Sequence, residues 1–401
     1  MKLLIFSFYF PPDLCAGSFR CGALVEALQR SMPDGMSVDV VTTQPNRYKG
    51  TIPQAPAIEQ HGSVRIHRID LPQHDSGMAD QARSFVTFGR KALAIARRSG
   101  PHDAIFATSS RLMTAALGAW LSKRTGAPLY LDIRDLFPET MSGVLKGSRV
   151  RAVLPAIERI EKATFSRAET INVVSPGFLD HMRQVAPTAT LRTFTNGIDD
   201  EFLALPAHMA RPNEDGPPVI LYAGNIGESQ GLHNILPEAA RRLAGRARFR
   251  IIGNGGRLAQ LREGVAELDN VELRVPVPRE QLLAEYAQAD ILFLHLNDQP
   301  AFLKVLPSKL FEYGALGHPI LAGLAGVSAD FVERELPDAA VFDPCDVDSM
   351  MTGFERVARA GPQDRSEFKK RFARDQIMRE MADDLISFTA KAAERRGQRQ
   401  G

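Results

Sequence analysis

Short apolar runs alternate with longer amphipathic stretches along the whole chain. Read as strands, the runs fall at 2–7, 37–42, 64–68, 104–107, 129–133, 170–174 and 191–194, and then at 219–223, 248–252, 271–273, 291–294, 320–322 and 340–342. Helical periodicity fills most of the gaps, for example at 18–30, 80–98, 111–125, 151–167, 232–244 and 307–316. Strands with little polar alternation are covered on both faces, and strands separated by helices join in parallel. The predicted class is α/β, built from doubly wound, Rossmann-like sheets.

The alternation pauses at 197–218, a polar, Pro-rich stretch that reads as a linker, and a strand follows at once. Two domains are therefore expected, 1–197 and 198–375, followed by a terminal helical segment, 376–401. A length of 401 residues suits that number, with a core in each, and a 44% hydrophobic content is ordinary for a soluble protein. Three cysteines are too few for a disulfide framework and favour a reducing compartment. Cys15 and Cys21 have no neighbouring His or Cys set, so no metal site is expected there. The opening apolar run breaks at Pro11-Pro12-Asp13, too early for a secretory signal, and reads as a first buried strand. No run approaches the ~18 apolar residues that a membrane span needs.

Charge is unevenly spread. Residues 1–195 carry 24 basic against 16 acidic side chains, whereas 196–401 carry 25 against 31. Such asymmetry makes an anionic partner natural for the first half. Two stretches there, 80–98 and 144–154, mix Arg and Lys with apolar residues and suit an anionic membrane surface; a core-facing helix with a solvated basic face has the same pattern. Nucleic acid is not expected, because no basic motif is interleaved with aromatics.

The candidate chemistry centres on Leu306-Pro307-Ser308-Lys309-Leu310-Phe311-Glu312-Tyr313-Gly314-Ala315-Leu316-Gly317-His318-Pro319. Lys309 and Glu312 are three apart, on one face of the first turn of a predicted helix where N–H groups are unbonded. A cation beside open amides suits a diphosphate, and a carboxylate accepts hydrogen bonds from ribose hydroxyls. An ordinary surface ion pair has the same spacing. Upstream, Tyr9-Phe10-Pro11-Pro12-Asp13-Leu14-Cys15-Ala16-Gly17-Ser18-Phe19-Arg20 joins the first strand to a helix, an anion-cradling arrangement with Gly17 allowing close backbone approach. A tight turn with a capping serine is the alternative. The G-x-G-x-x-G dinucleotide fingerprint is absent, which argues against a nicotinamide enzyme. Asp132, Arg134, Asp135 and Glu139 crowd the end of a buried strand, the edge where open α/β sheets bind ligands. The alternative is an Arg134–Asp ion pair that only fixes the loop.

The run at 306–319 resembles the nucleotide-sugar motif of family 4 retaining glycosyltransferases, two-domain enzymes of the GT-B fold. The other segments follow in the family's order. Asp132-Ile133-Arg134-Asp135-Leu136 and Gly224-Asn225-Ile226-Gly227 with Gln230-Gly231 resemble the bacterial surface-polysaccharide subgroup that includes N-acetylfucosamine transferases. Thr195-Asn196-Gly197-Ile198-Asp199 resembles the family's interdomain stretch and reads as a sharp turn.

The resemblance implies two doubly wound domains facing across a cleft, with the last helix returning to the first domain. It also implies a nucleotide-sugar donor, most naturally UDP-linked, and a lipid-linked or saccharide acceptor on the cytoplasmic face of a membrane. Retention, without a bound metal or cofactor, is part of it. Asp135 would contact the transferred sugar or the acceptor hydroxyl. Gly17, Arg20, Gly224, Asn225, Gln230, Ser308, Lys309 and Glu312 would meet the donor, with Lys309 steadying charge on the departing phosphate. Asn254 and Val277 lie in turns that approach the base in the family.

The departures are specific. Asn225 and Gln230 stand where the family commonly carries Arg and Lys, which shifts phosphate neutralisation onto Lys309, Arg20 and loop amides. Lys304 replaces the first glutamate of the motif, so only Glu312 carries over. Two rival readings are a UDP-N-acetylhexosamine 2-epimerase of the same fold and a non-catalytic nucleotide-sugar-binding protein.

Overall fold

The computed structural model describes residues 1–45, 55–71, 78–109, 111–144, 148–205, 216–361 and 363–400; at 78–82, 140, 142–144, 148–152, 399 and 400 it describes the backbone alone. The chain divides into two compact units. The first holds the residues up to Asn196 and the segment from Arg374 onward; the second holds Gly197–Ala373, with 143–145 grouped beside it.

In the first unit, β1 (Lys2–Phe6), β2 (Ser37–Thr43), β3 (Ile58–His61), β4 (Val64–Ile69), β5 (Ala104–Thr108), β6 (Leu129–Ile133), β7 (Thr170–Val173) and β8 (Thr190–Arg192) form one sheet. Its order is β3-β4-β2-β1-β5-β6-β7-β8. Every neighbouring pair is parallel except β3–β4, where Ile58 lies opposite His67 and His61 opposite Val64. The sequence pattern does not predict β3. Its residues, Ile-Glu-Gln-His, are mostly exposed and form an edge hairpin across the Gly62-Ser63 turn, so no apolar run marks it. Buried runs such as Leu3, Leu4, Ile5 and Phe6 build the sheet's interior. Against it pack Leu24, Val25 and Leu28 of helix Ala16–Ser31 and Met378, Met381, Leu385 and Phe388 of the terminal helix Arg374–Gln400.

The second unit has β9 (Val219–Asn225), β10 (Arg248–Asn254), β11 (Val271–Arg274), β12 (Ile291–His295), β13 (Ile320–Gly323) and β14 (Ala340–Phe342), ordered β11-β10-β9-β12-β13-β14 and parallel throughout. The chain leaves β9 toward β10 and leaves β12 toward β13, so a topological switch point lies between β9 and β12. Helix Leu232–Arg242 buries Leu232, Ile235, Leu236, Ala239 and Ala240 against this sheet. Helix Lys309–Ala315 is shorter than the predicted 307–316 at both ends. Proline lacks the N–H of a helix interior, and the chain enters the helix only after Ser308.

Of the predicted linker, 206–215 lie outside the described residues, and Asp200–Leu203 is a helical turn with Phe202 buried. Helix Met78–Ser99 turns Phe88, Ala92 and Ala96 into the core and leaves Arg90, Lys91, Arg97 and Arg98 exposed, with Val86 beside them. Most of the 144–154 stretch falls on side chains outside those described. Among the described residues, no helix is long and apolar enough to cross a membrane.

Candidate functional site

The carboxyl end of β9 meets the start of helix Lys309–Ala315 in the second unit. That short helix buries Leu310, Phe311 and Tyr313, which fixes its rotation and brings Lys309 and Glu312 together on the opposite side. The Lys309 Nζ lies 3.8 Å from Glu312 Oε2 and 5.4 Å from the centre of the Tyr313 ring. Its stem passes directly over Gly224 at the end of β9. A Cβ at Gly224 would stand 3.0 Å from Lys309 Cε and 3.4 Å from Nζ, so glycine there is a condition of the lysine's position. Both Lys309 and Glu312 keep about a fifth of their side-chain surface exposed, 21% and 20%, so the pair is open to a ligand.

Buried phenols brace this corner. The Tyr222 hydroxyl donates to the Asn225 carbonyl oxygen at 2.6 Å, and the Ala223 N–H donates to the Tyr313 hydroxyl at 3.4 Å. Burial raises the pKa of both tyrosines, so both remain neutral. Arg279 donates to Asp199 at 2.5 Å and Glu201 at 3.0 Å. Glu312 is among the charges that raise its pKa against the effect of burial.

Between β9 and helix Leu232–Arg242, Asn225 and Gln230 bond to each other, Nδ2 to Oε1 at 2.8 Å. Two amides thus bridge the loop where two cations would repel. Ser308 is half-buried and flanks the helix without a side-chain cap. Asn254 is exposed at the end of β10; its carbonyl accepts from Ile226 N at 2.9 Å, tying that loop to the next strand. Val277 packs against the unit's core with its side chain partly buried.

In the first unit the structure puts Arg20 to a different use from phosphate binding. Its guanidinium is buried and donates twice to Asp132, Nε to Oδ2 and Nη2 to Oδ1, both at 2.9 Å. It also donates to the Phe194 carbonyl at 2.8 Å and the Thr195 carbonyl at 2.5 Å. Asn172 Nδ2 donates to Asp132 Oδ1 at 2.7 Å. Burial alone would raise the Asp132 pKa, but the charge and hydrogen bonds of Arg20 outweigh it and hold the carboxyl below its ordinary value. The sequence reading gives Arg20 to the diphosphate; in the structure its guanidinium is engaged by Asp132 and two backbone carbonyls.

Asp132 is therefore hydrogen-bonded by Arg20 and not by Arg134, although the charges of Asp132 and Arg134 still favour each other. Burial, with the nearby Arg20 charge, pushes the Arg134 pKa down to about 10, and its Nη1 is buried without a hydrogen-bond partner among the described residues. Asp135 follows, half-buried, ahead of helix Phe137–Val144. Gly17 is not in a loop. The preceding turn closes at Cys15, and Gly17 lies in the first turn of helix Ala16–Ser31.

Comparison with known proteins follows the same division. A glycosyl transferase 4-like domain matches residues 18–197, and a glycosyl transferases group 1 domain matches 207–374. The chain belongs to the glycosyltransferases that pair these two domains. The glycosyltransferase is 24% identical over 417 residues to WcaI of Escherichia coli K12, named for colanic acid biosynthesis, covering 96% of this chain and 100% of WcaI. It is also 26% identical over 262 residues to the Pseudomonas aeruginosa protein WbjE, named as a glycosyltransferase, with 61% and 62% of the two chains covered. Among solved structures, Anabaena HepE in complex with UDP-glucose superposes with a TM-score of 0.67 at 15% identity, covering 96% of this chain and 100% of that one. At that identity the likeness establishes the shared fold.

Sequence reasoning missed the Arg20–Asp132–Asn172 network, the tyrosine braces and the role of His295 and Asn297 beside the loop at 225–231. A polar residue closing a buried strand, as in Phe293-Leu294-His295-Leu296-Asn297, was the available signal.

Proposed function

We propose that this glycosyltransferase moves a sugar from a UDP-linked donor to a lipid-linked or saccharide acceptor, with retention, in the assembly of a bacterial surface polysaccharide. The observation that carries the reading is Lys309 held over Gly224, with Glu312 beside it, at the switch point of the second unit's sheet. In this reading Lys309 stabilises the charge that develops on the departing phosphate, and Glu312 accepts hydrogen bonds from the ribose. Asp135 contacts the sugar or the acceptor hydroxyl. The reading needs no resident metal, because the leaving phosphate itself takes up the acceptor's proton. The UDP-glucose bound by HepE and the names of WcaI and WbjE support the donor class and the setting. The exposed basic side of helix Met78–Ser99 gives the protein a surface suited to anionic lipid at the cytoplasmic face of a membrane.

A thermal-shift screen against UDP, GDP, dTDP and CMP tests the donor site. Stabilisation by UDP that disappears in Lys309→Ala supports it, and turnover with membrane extract then tests transfer. Binding without turnover under any acceptor would favour a non-catalytic nucleotide-sugar-binding protein, the reading that the Asn225–Gln230 pair and Lys304 recommend. No shift with any nucleotide would reject the donor site.

A further inference from the structure

Three successive carbonyls of the loop after β9 are held by the segment that closes β12. Asn297 Nδ2 donates to the Glu228 oxygen at 2.9 Å, Asn297 N donates to the Ser229 oxygen at 2.8 Å, and His295 Nδ1 bonds the Gln230 oxygen at 2.6 Å. The imidazole's protonation is set from its other side. The Cys345 backbone N–H donates to His295 Nε2 at 2.9 Å, so Nε2 is an acceptor and Nδ1 carries the hydrogen. The ring is fully buried, stacks with Phe293 and Phe342, and occupies space that a side chain at Gly323 would enter, at 2.3 Å from its Cδ2. Cys345 itself has φ +61, a left-handed conformation rare for a residue with a side chain. On the loop, Gly231 has φ +60 and packs against Asn297, where a Cβ would lie 3.1 Å from Cγ.

A trans peptide points its N–H opposite to its C=O. Carbonyls drawn toward His295 and Asn297 at residues 228 and 229 therefore aim the amides of Ser229 and Gln230 the other way. Among the described residues neither amide donates to a backbone or side-chain acceptor. Successive unbonded amides facing one side make an anion-binding concavity. They lie in the loop where Asn225 and Gln230 take the places of cations.

We propose that His295 and Asn297 are positioning residues for the donor diphosphate. By holding the loop's carbonyls back, they present the Ser229 and Gln230 amides to phosphate oxygens and so supply the neutralisation that the missing cations would give. This rests on the donor reading above and adds how that site is charged.

Calorimetric titration of the full chain with UDP tests it. His295→Phe keeps the ring stacking but loses both hydrogen bonds, and is expected to weaken UDP binding about tenfold or more, since a bond to a charged group is at stake. His295→Asn places an amide N–H near the Nδ1 position and should recover most of the affinity. His295→Gln places its amide at the Nε2 position and should not. In wild-type protein the backbone amide resonances of Ser229 and Gln230 should shift on adding UDP, and these shifts should shrink in His295→Phe. Should that variant fail to fold, Asn297→Ala is the substitute, with UDP binding expected to weaken several-fold. A folded His295→Phe or Asn297→Ala that binds UDP like wild type overturns the proposal alone, as does equal weakness of the Asn and Gln variants. Wild-type protein that binds none of UDP, GDP, dTDP or CMP removes the donor reading and this role together.

Discussion

Lys309 and Gly224 are 85 positions apart in numbering, yet the lysine's stem lies where a side chain of residue 224 would be, 3.0 Å from Cε to a Cβ built there. This contact places the ammonium at the end of β9. A methyl at 224 would crowd the lysine's stem and also the Tyr222 hydroxyl, 3.1 Å away, at a glycine whose φ of +159 disfavours a side chain. Gly224→Ala is therefore expected to weaken UDP binding by about tenfold and to lower the thermal midpoint as well, since the backbone and Tyr222 must also give. Lys309→Ala should lower transfer on the order of a hundredfold or more, because charge on the leaving group loses its partner. Calorimetry and initial rates read both, and near-normal turnover in Lys309→Ala would reject its assigned role.

Glu312 offers a separate test of ribose recognition. Glu312→Ala should reduce UDP affinity while inorganic pyrophosphate binds as well as or better than before, since the carboxylate accepts from hydroxyls but repels phosphate and pairs with Lys309. If calorimetry gives the same UDP affinity in both proteins, the ribose contact is wrong.

Arg20 is predicted to matter for folding before it matters for binding. Arg20→Met leaves Asp132 charged and buried, with Asn172 as its remaining side-chain donor. Breaking a buried pair in this way costs about 3–5 kcal/mol. Urea unfolding should show the loss, whereas UDP affinity of the folded fraction should hold. Reduced UDP affinity at unchanged stability would restore the phosphate role.

Acid stability follows from two buried histidines. Burial lowers the pKa of His295 and of His318 to about 4, against partial offsets from hydrogen bonds to the Gln230 and Tyr286 backbones. In the unfolded chain both titrate near 6.5. Between those values the unfolded state binds more protons, so stability is complete above about pH 6.5 and falls until about pH 4. Each histidine contributes roughly 3 kcal/mol over that window, from the size of the shift. Asp39 and Asp132, whose pKa values are lowered, lose their contribution only at more acidic pH. Urea midpoints at pH 7.5, 6 and 5 should decline in order, and His318→Asn should flatten part of the slope. A constant midpoint over this range would mean that neither ring is kept neutral by burial.

Much of the fold was legible in the residues because it is local. Four to six apolar residues in a row, followed by helical periodicity, specify a buried strand and a covering helix whatever the rest of the chain does. The i, i+3 spacing of Lys309 and Glu312 likewise puts them on one helix face by geometry alone. The edge strand β3 escaped because an exposed hairpin carries no apolar run.

Only the tertiary structure decided which distant groups meet. A buried arginine and a buried aspartate each announce the need for a partner, but Arg134 stood closest in sequence to Asp132, and Arg20, 112 residues away, is the one that fills it. His295 reaches the Gln230 carbonyl across 65 residues, and glycine at 224 matters because Lys309 arrives there. Periodicity records the direction of each side chain from its own backbone. Partnership depends on how strands order themselves in a sheet, and that order is set by packing the whole core.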